Sequence, residues 1–245
     1  MGADPSVELK RAAAEAALAL VPERGVIGLG SGSTARLFIE ALGRRVREGA
    51  ALMGVPSSRE SEALARSVGI PLLDDAGPWT IDVCFDGADE VDPALDVIKG
   101  GGGMHTREKI VIAAARRTVI LVDESKLVPR LGTRWPVPVE VVAFGHAATA
   151  ARLAAFGEPR LRARKDGGGP FVTDQGGLIY DVRTGPIGDA PALEAALNAV
   201  PGVVTVGLFT RRADAVIVAA ASGVRTLSRA SGAPTPGAKT PGAPS

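Results

Sequence analysis

The sequence is poor in the residues that build disulfides and metal sites. Its 245 residues include one cysteine and two histidines. A single thiol forms no disulfide framework, and Cys84, inside the apolar run "IDVCFD", reads as a small buried hydrophobe of a strand. His105 and His146 are far apart in sequence, so a Cys/His metal site is disfavoured and no metal is expected. Net charge is also nearly absent, at +1. That argues against nucleic acid and anionic membrane as partners, and it requires any anionic ligand to be held by a local site. No stretch reaches the roughly 18 uninterrupted apolar residues of a membrane span. Asp4, Glu8, Lys10, Arg11 and Glu15 fall where a signal peptide has its apolar core. "MGADPS" fits the loose pattern for N-myristoylation, but no polybasic second signal follows. These absences fit a cytoplasmic protein. Lysine is scarce as well: six of the 28 basic residues, the rest being arginine.

What is present is an apolar fraction of 46%, enough for a sizeable core, arranged in alternating strand and helix patterns. Residues 6–20 read as a helix, 26–30 as a strand, and 33–47 as a helix with Ala35, Phe38, Ile39, Leu42 and Val46 at helical spacing. "ALMGV", "IPLL", "IDVCFDGA" and "TVILVD" read as further strands, with helices over 58–69 and about 106–117 between them. Such alternation predicts a parallel sheet covered on both faces. The texture changes after "RLGTRWPVPVEVV". Closely spaced strand signals "RLRAR", "PFVTD", "GLIYDV" and "VVTVGLF" are set with helices near 146–156 and 190–199. The expected fold is therefore α/β: a Rossmann-like parallel sheet domain with a smaller α+β domain inserted. The large domain spans 1–133 plus 206–229, with "AVIVAA" and "VRTL" returning to the first sheet, and the small one spans 134–205. Residues 230–245, rich in Pro, Gly, Ala and Ser, read as a disordered tail.

"GSGSTA" at 30–35 matches G-x-G-x-x-A, the dinucleotide fingerprint, which also needs an acidic residue about 20 positions on. Ser57 and Ser58 stand there instead, which disfavours a nicotinamide cofactor. No Gly-Lys-Ser/Thr follows, which excludes a Walker loop. Ser31, Gly32, Ser33 and Thr34 then remain at a helix N-terminus, where free N–H groups suit a phosphate or a sugar hydroxyl. Capping of the helix by Ser33 is the plainer reading, and the loop alone leaves both open.

"FDGADEVD" places Asp86 and Asp89 just after an apolar strand, where open α/β sheets bind ligands. "IKGGGG" sets four glycines after Lys99, a backbone cost accepted where a chain bends unusually or approaches a ligand. Glu108, in the first turn of the next helix, is either a carboxylate favoured by the helix dipole or a general base. Asp123 and Lys126 end another strand, so two of the six lysines, Lys99 and Lys126, flank candidate loops. An ammonium approaches an oxyanion as a compact charge.

In order and spacing, "GLGSGSTA", "DGADEVD", "IKGGGG", "TREKI", "DESK" and "PGVVTVGLF" resemble the ribose-5-phosphate isomerase A family over about residues 7–228. Ser31 where threonine is usual, His105 before "REK" and Gln175 where asparagine is frequent depart from the pattern. The resemblance implies interconversion of ribose 5-phosphate and ribulose 5-phosphate through a cis-enediolate, without metal or cofactor, by a homodimer or homotetramer. It implies that Glu108 is the base, taking the proton from C2 and returning it to C1. Lys99 and Lys126 would face the enediolate oxygens or the phosphate. Asp86 and Asp89, with Gly87 and Ala88 between them, would hold sugar hydroxyls, one aspartate assisting ring opening. Gly100, Gly101 and Gly102 would offer backbone N–H groups, Ser31, Gly32, Ser33 and Thr34 the opposite wall, and Lys10 a reach to the phosphate. A related sugar-phosphate deaminase or lactonase, or a non-catalytic sugar-phosphate sensor, are the alternatives. "KGGGG" followed by "TREK" and the intact Glu108 argue against them.

Overall fold

The strand–turn–helix start is built as its pattern predicts. In the computed structural model, which describes residues 5–229, β1 (Arg24–Leu29) feeds α2 (Gly32–Arg47), preceded by α1 (Pro5–Ala17). Then follow β2 (Ala51–Pro56), α3 (Arg59–Ser67), β3 (Val83–Asp86), β4 (Glu90–Val91), β5 (Val97–Ile98), α4 (His105–Ala113) and β6 (Thr118–Asp123). The middle of the chain gives β7 (Val137–Val141), α5 (His146–Leu153), β8 (Glu158–Leu161), β9 (Leu178–Arg183), α6 (Ala190–Asn198) and β10 (Val203–Val206). The chain returns through β11 (Leu208–Phe209), β12 (Ala215–Ala220) and β13 (Gly223–Ser228). The tail expected over 230–245 and most of the "MGADPS" pattern lie outside the described residues.

The main sheet has the order β13-β12-β6-β3-β1-β2, parallel throughout except for β13, which pairs antiparallel with β12. β6 and β12 are buried along their whole length, the continuous apolar run that a strand covered on both faces needs. One face packs Ile27, Leu29 and Phe85 against Phe38, Ile39 and Leu42 of α2, with the Phe38 and Phe85 rings 4.4 Å apart. The other packs Ile120, Val122, Val216 and Val218 against Val111 and Ile112 of α4. Cys84 is fully buried against Gly28, where an added Cβ would meet its Sγ at 2.8 Å. A second, antiparallel sheet of order β10-β7-β9-β8 carries its own core, and β11-β5-β4 form a small third sheet beside it.

Several elements depart from the sequence reading for local reasons. "IPLL" makes only one bridge, Gly54 to Leu72, because Pro71 has no N–H for a ladder. "PFVTD" contributes isolated bridges at Pro170 and Val172, since the neighbouring glycine turns interrupt pairing. α4 stops at Ala113 rather than near 117: Arg116 N–H bonds Ile81 O at 2.8 Å and Arg117 O accepts from Cys84 N–H at 2.8 Å, which draws the chain into the next strand. α1 tightens into a 3-10 turn over Leu18–Leu20, whose Leu18 carbonyl accepts from Arg45 Nη1 at 2.8 Å.

Because β1, β3 and β6 run parallel, their carboxyl ends lie along one edge. That edge gathers the loops after Leu29, Asp86 and Asp123. β5 brings Lys99 and the glycine loop to the same edge, with Lys99 N–H bonded to Gly207 O at 2.9 Å.

Candidate active site

Gly30 lets two loops touch. A Cβ there would lie 2.2 Å from Asp86 Oδ1, so only glycine permits the approach. Asp86 Oδ1 instead accepts the N–H groups of Ser31 (3.0 Å) and Gly87 (2.8 Å). Ser31 is the N-cap of α2, yet its hydroxyl makes no capping bond and pairs with Ser57 Oγ at 2.8 Å. The capping role considered for Ser33 is therefore not taken up. The first amides of the helix keep their partial positive charge directed outward. A second hydroxyl chain holds the neighbouring loop: Ser58 Oγ caps α3 and bonds Ser61 Oγ, and Ser61 Oγ donates to Gly30 O at 2.6 Å.

The glycine loop closes the other side. Gly100 (φ +102°) lies against the ring of buried His105, and Gly101 N–H donates to Asp89 Oδ2 at 2.8 Å. His105 is neutral: burial first, then Arg162 and Lys109, lower its pKa to about 3. α4 is anchored at its start by Glu140 of β7, a buried carboxylate that accepts from the hydroxyls of Thr106 and Thr173. This fixes Glu108 one turn into the helix.

Between the loops lies an open cleft of about 180 Å³. Ser31, Gly32, Ser33, Thr34 and Lys10 line one wall. Gly87, Ala88, Asp89, Lys99 and Glu108 line the floor, and Gly100, Gly101, Gly102 and Lys126 the other wall. Asp86 alone among the expected residues is absent from the lining. It is fully buried behind Lys99, whose Nζ lies 2.9 Å from Asp86 Oδ2, 3.3 Å from Glu108 Oε2, and 2.6 Å from the Gly87 carbonyl it donates to. Ser58, Glu60 and Met104 also line the cleft, and the sequence reading did not single them out as ligands. Trp135, seated by Glu90, which accepts its N–H at 2.8 Å, places its ring 5.7 Å from Lys126 Nζ.

One ammonium here serves three carboxylates. Burial pulls the Lys99 pKa down, but Asp86 and then Glu108 outweigh it, so Lys99 stays charged. The deficit of positive charge falls on Glu108. Burial, aided by Asp86 and Asp89, raises its pKa to about 8 against the pull of Lys99. Asp89 is raised as well, chiefly by burial. The site thus combines a carboxyl that titrates near neutrality, a fixed cation beside it, and an anion-ready helix end across the cleft. Among the described residues, no cluster of three or more His, Cys, Asp or Glu side chains is arranged to hold a metal ion, and no helix is long and apolar enough to cross a membrane.

Comparison with known proteins places the chain in a family. The family model for ribose 5-phosphate isomerase A (phosphoriboisomerase A) matches residues 53–223. A ribose-5-phosphate isomerase A of Rhodopseudomonas palustris is 50% identical over 230 residues, covering 91% of this chain and 98% of its own. One of Thermosynechococcus vestitus is 47% identical over 221 residues, covering 89% and 94%. The solved ribose 5-phosphate isomerase A of Methanocaldococcus jannaschii superposes with a TM-score of 0.86 at 45% identity, over 90% of this chain and 98% of that one. A D-ribose-5-phosphate isomerase solved in complex with phospho-erythronic acid superposes at 0.89 with 40% identity, over 92% and 100%. The chain belongs to the ribose 5-phosphate isomerase A family.

Proposed function

We propose that this chain interconverts D-ribose 5-phosphate and D-ribulose 5-phosphate, the aldose–ketose isomerisation of the pentose phosphate pathway. One observation carries the assignment of roles: Glu108 faces the same cleft as the α2 N-terminus and the glycine loop, with the Lys99 ammonium 3.3 Å from its carboxyl.

The reaction moves one proton from C2 to C1 and one from O2 to O1. The C2 proton is barely acidic, so the step needs a fixed base and a stabilised oxyanion. In this reading the Glu108 carboxylate takes the C2 proton, and the released electron pair moves onto O1 to give a cis-enediolate. Lys99 and the glycine-loop amides stabilise its oxygens, the O2 proton passes to O1 across the cis pair, and Glu108 returns its proton to C1 as the C2 carbonyl forms. A pKa raised toward working pH makes the carboxylate a stronger base than a solvated one. Asp86 acts through Lys99, and Asp89, beside Gly101, holds a sugar hydroxyl and exchanges its proton during opening of the furanose ring. The phosphate lies on the amides of Gly32, Ser33 and Thr34, between Lys10 and Lys126. Those two lysines make no ion pair among the described residues, which frees them for a dianion. The relative's ligand, phospho-erythronic acid, has this polarity: a carboxylate at one end and a phosphate at the other. The unit 134–205 is read as an insertion that supplies Glu140 and buttresses the glycine loop. The active form is read as a cytoplasmic homodimer or homotetramer, which light scattering on the eluted protein tests.

A coupled assay with ribose 5-phosphate, run with chelator on wild type and Glu108→Gln, tests the proposal. Turnover by wild type and its loss in the variant are expected. Glucosamine 6-phosphate turned over in place of ribose 5-phosphate would overturn it.

A further inference from the structure

The glycine loop is gripped from behind. Arg162, which follows β8, sends Nη1 to the carbonyls of Gly100 (2.8 Å) and Gly101 (3.2 Å). The opposite edge of the guanidinium is forked onto Asp181 of β9, Nε to Oδ2 at 2.9 Å and Nη2 to Oδ1 at 2.5 Å. The side chain is 14% exposed. A trans peptide is planar, with its C=O and N–H on opposite sides. Pinning the 100 and 101 carbonyls toward the small sheet therefore turns the N–H groups of Gly101 and Gly102 the other way, toward the cleft. The first is taken by Asp89. The second has no protein acceptor among the described residues, and Gly102 lines the cleft.

We propose that Arg162, braced by Asp181, is a positioning residue for the isomerisation: it holds the peptide planes of 100–102 so that the Gly102 N–H donates to the developing enediolate. The inference rests on the isomerase reading above. Only arginine suits the post. Its planar fork meets a carboxylate with two N–H groups while another reaches two carbonyls, whereas a lysine ammonium is one compact charge. The guanidinium also keeps a fixed positive charge behind the amides, where it strengthens their pull on an oxyanion. Since Asp181 lies in the antiparallel sheet and Arg162 directly follows its strand β8, turnover depends on that sheet being docked.

The test compares wild type, Arg162→Ala, Arg162→Lys and Asp181→Asn. A misaimed donor weakens an interaction made in the transition state, so kcat falls and KM does not. Arg162→Ala is expected to lose about 10²-fold in kcat with KM within about three-fold. Its affinity for phospho-erythronic acid falls in parallel, while that for inorganic phosphate is unchanged. Added guanidinium ion, below denaturing concentration, restores part of the Arg162→Ala rate and leaves wild type unaffected. Arg162→Lys stays impaired, and Asp181→Asn, which keeps the cation but frees its fork, shows a smaller fall in kcat alone. A kcat for Arg162→Ala within about three-fold of wild type overturns the proposal. So does a loss shared equally by inorganic phosphate affinity, or full activity in Arg162→Lys. Wild type that fails to turn over ribose 5-phosphate would refute the isomerase reading instead, so the two failures are distinguishable.

Discussion

Replacing Glu108 by glutamine exchanges one oxygen for a nitrogen and keeps the side chain's volume in the cleft. The residue is 5% exposed, and its carboxyl is raised from 4.5 to about 8 by burial and by Asp86 and Asp89. Between those pH values the folded chain holds a proton that the unfolded chain has released, so folding stability falls as pH rises through that window. One pKa unit is worth about 1.4 kcal/mol, which puts the loss at about 3–5 kcal/mol once the pH exceeds the folded value. Glutamine does not titrate and escapes it. Urea unfolding of both proteins is expected to give a stability difference, variant minus wild type, that grows by about 2–5 kcal/mol from about pH 5 to about pH 9. Any constant offset from the amide's own contacts with Lys99 cancels in that comparison. In the same samples, turnover falls by about 10²–10⁴ with substrate affinity within a few-fold. A stability difference that is flat with pH would refute the buried, charge-deficient site, whatever the activity shows.

Other consequences follow from the same geometry. In wild type, kcat/KM is lost as pH falls through the raised pKa of Glu108, well above the ordinary carboxylate range; a profile flat down to about pH 5 contradicts the base assignment. Lys126→Ala is expected to raise KM about ten-fold or more while kcat changes little, because a phosphate contact binds ground and transition states alike. An equal loss confined to kcat would move Lys126 to the enediolate end. Gly30→Ala forces a Cβ to 2.2 Å from Asp86 Oδ1 and 2.6 Å from its Cα. It is expected to destabilise by about 1–3 kcal/mol in urea melts, and a neutral result would deny the close approach. Removal of residues 230–245 leaves kcat/KM unchanged in the same coupled assay; a marked drop would give the tail a role.

The edge that carries the cleft was legible because alternating strands and helices force a parallel sheet, and a parallel sheet has one carboxyl edge. Asp89, Lys99, Lys126 and the Ser31 loop could therefore be grouped from their positions at strand ends. Asp86 could be grouped but not placed. Its alternation within β3 does not reveal that Gly30 lets it sit behind Lys99 rather than in the cleft. Arg162, Asp181, Glu140 and Ser57 were illegible as site residues, since each acts on loops distant in sequence; Arg162 reaches Gly100 across 62 positions. The strand expectations for "IPLL" and "PFVTD" failed where a proline and glycine turns override apolar pattern. The helix through 117 failed where sheet pairing claims the backbone of Arg116 and Arg117.

A pentose phosphate is expected to lie across this cleft with its reacting carbons at Glu108 and its phosphate at the start of α2. A crystal structure of the chain with phospho-erythronic acid measures this directly. The expected result has the acid's carboxylate, which stands at the reacting end of the sugar, within about 3.5 Å of Lys99 and the Gly102 N–H and facing Glu108, and the phosphate on the amides of Gly32, Ser33 and Thr34. The ligand bound in the reverse direction, or outside the cleft, would contradict it.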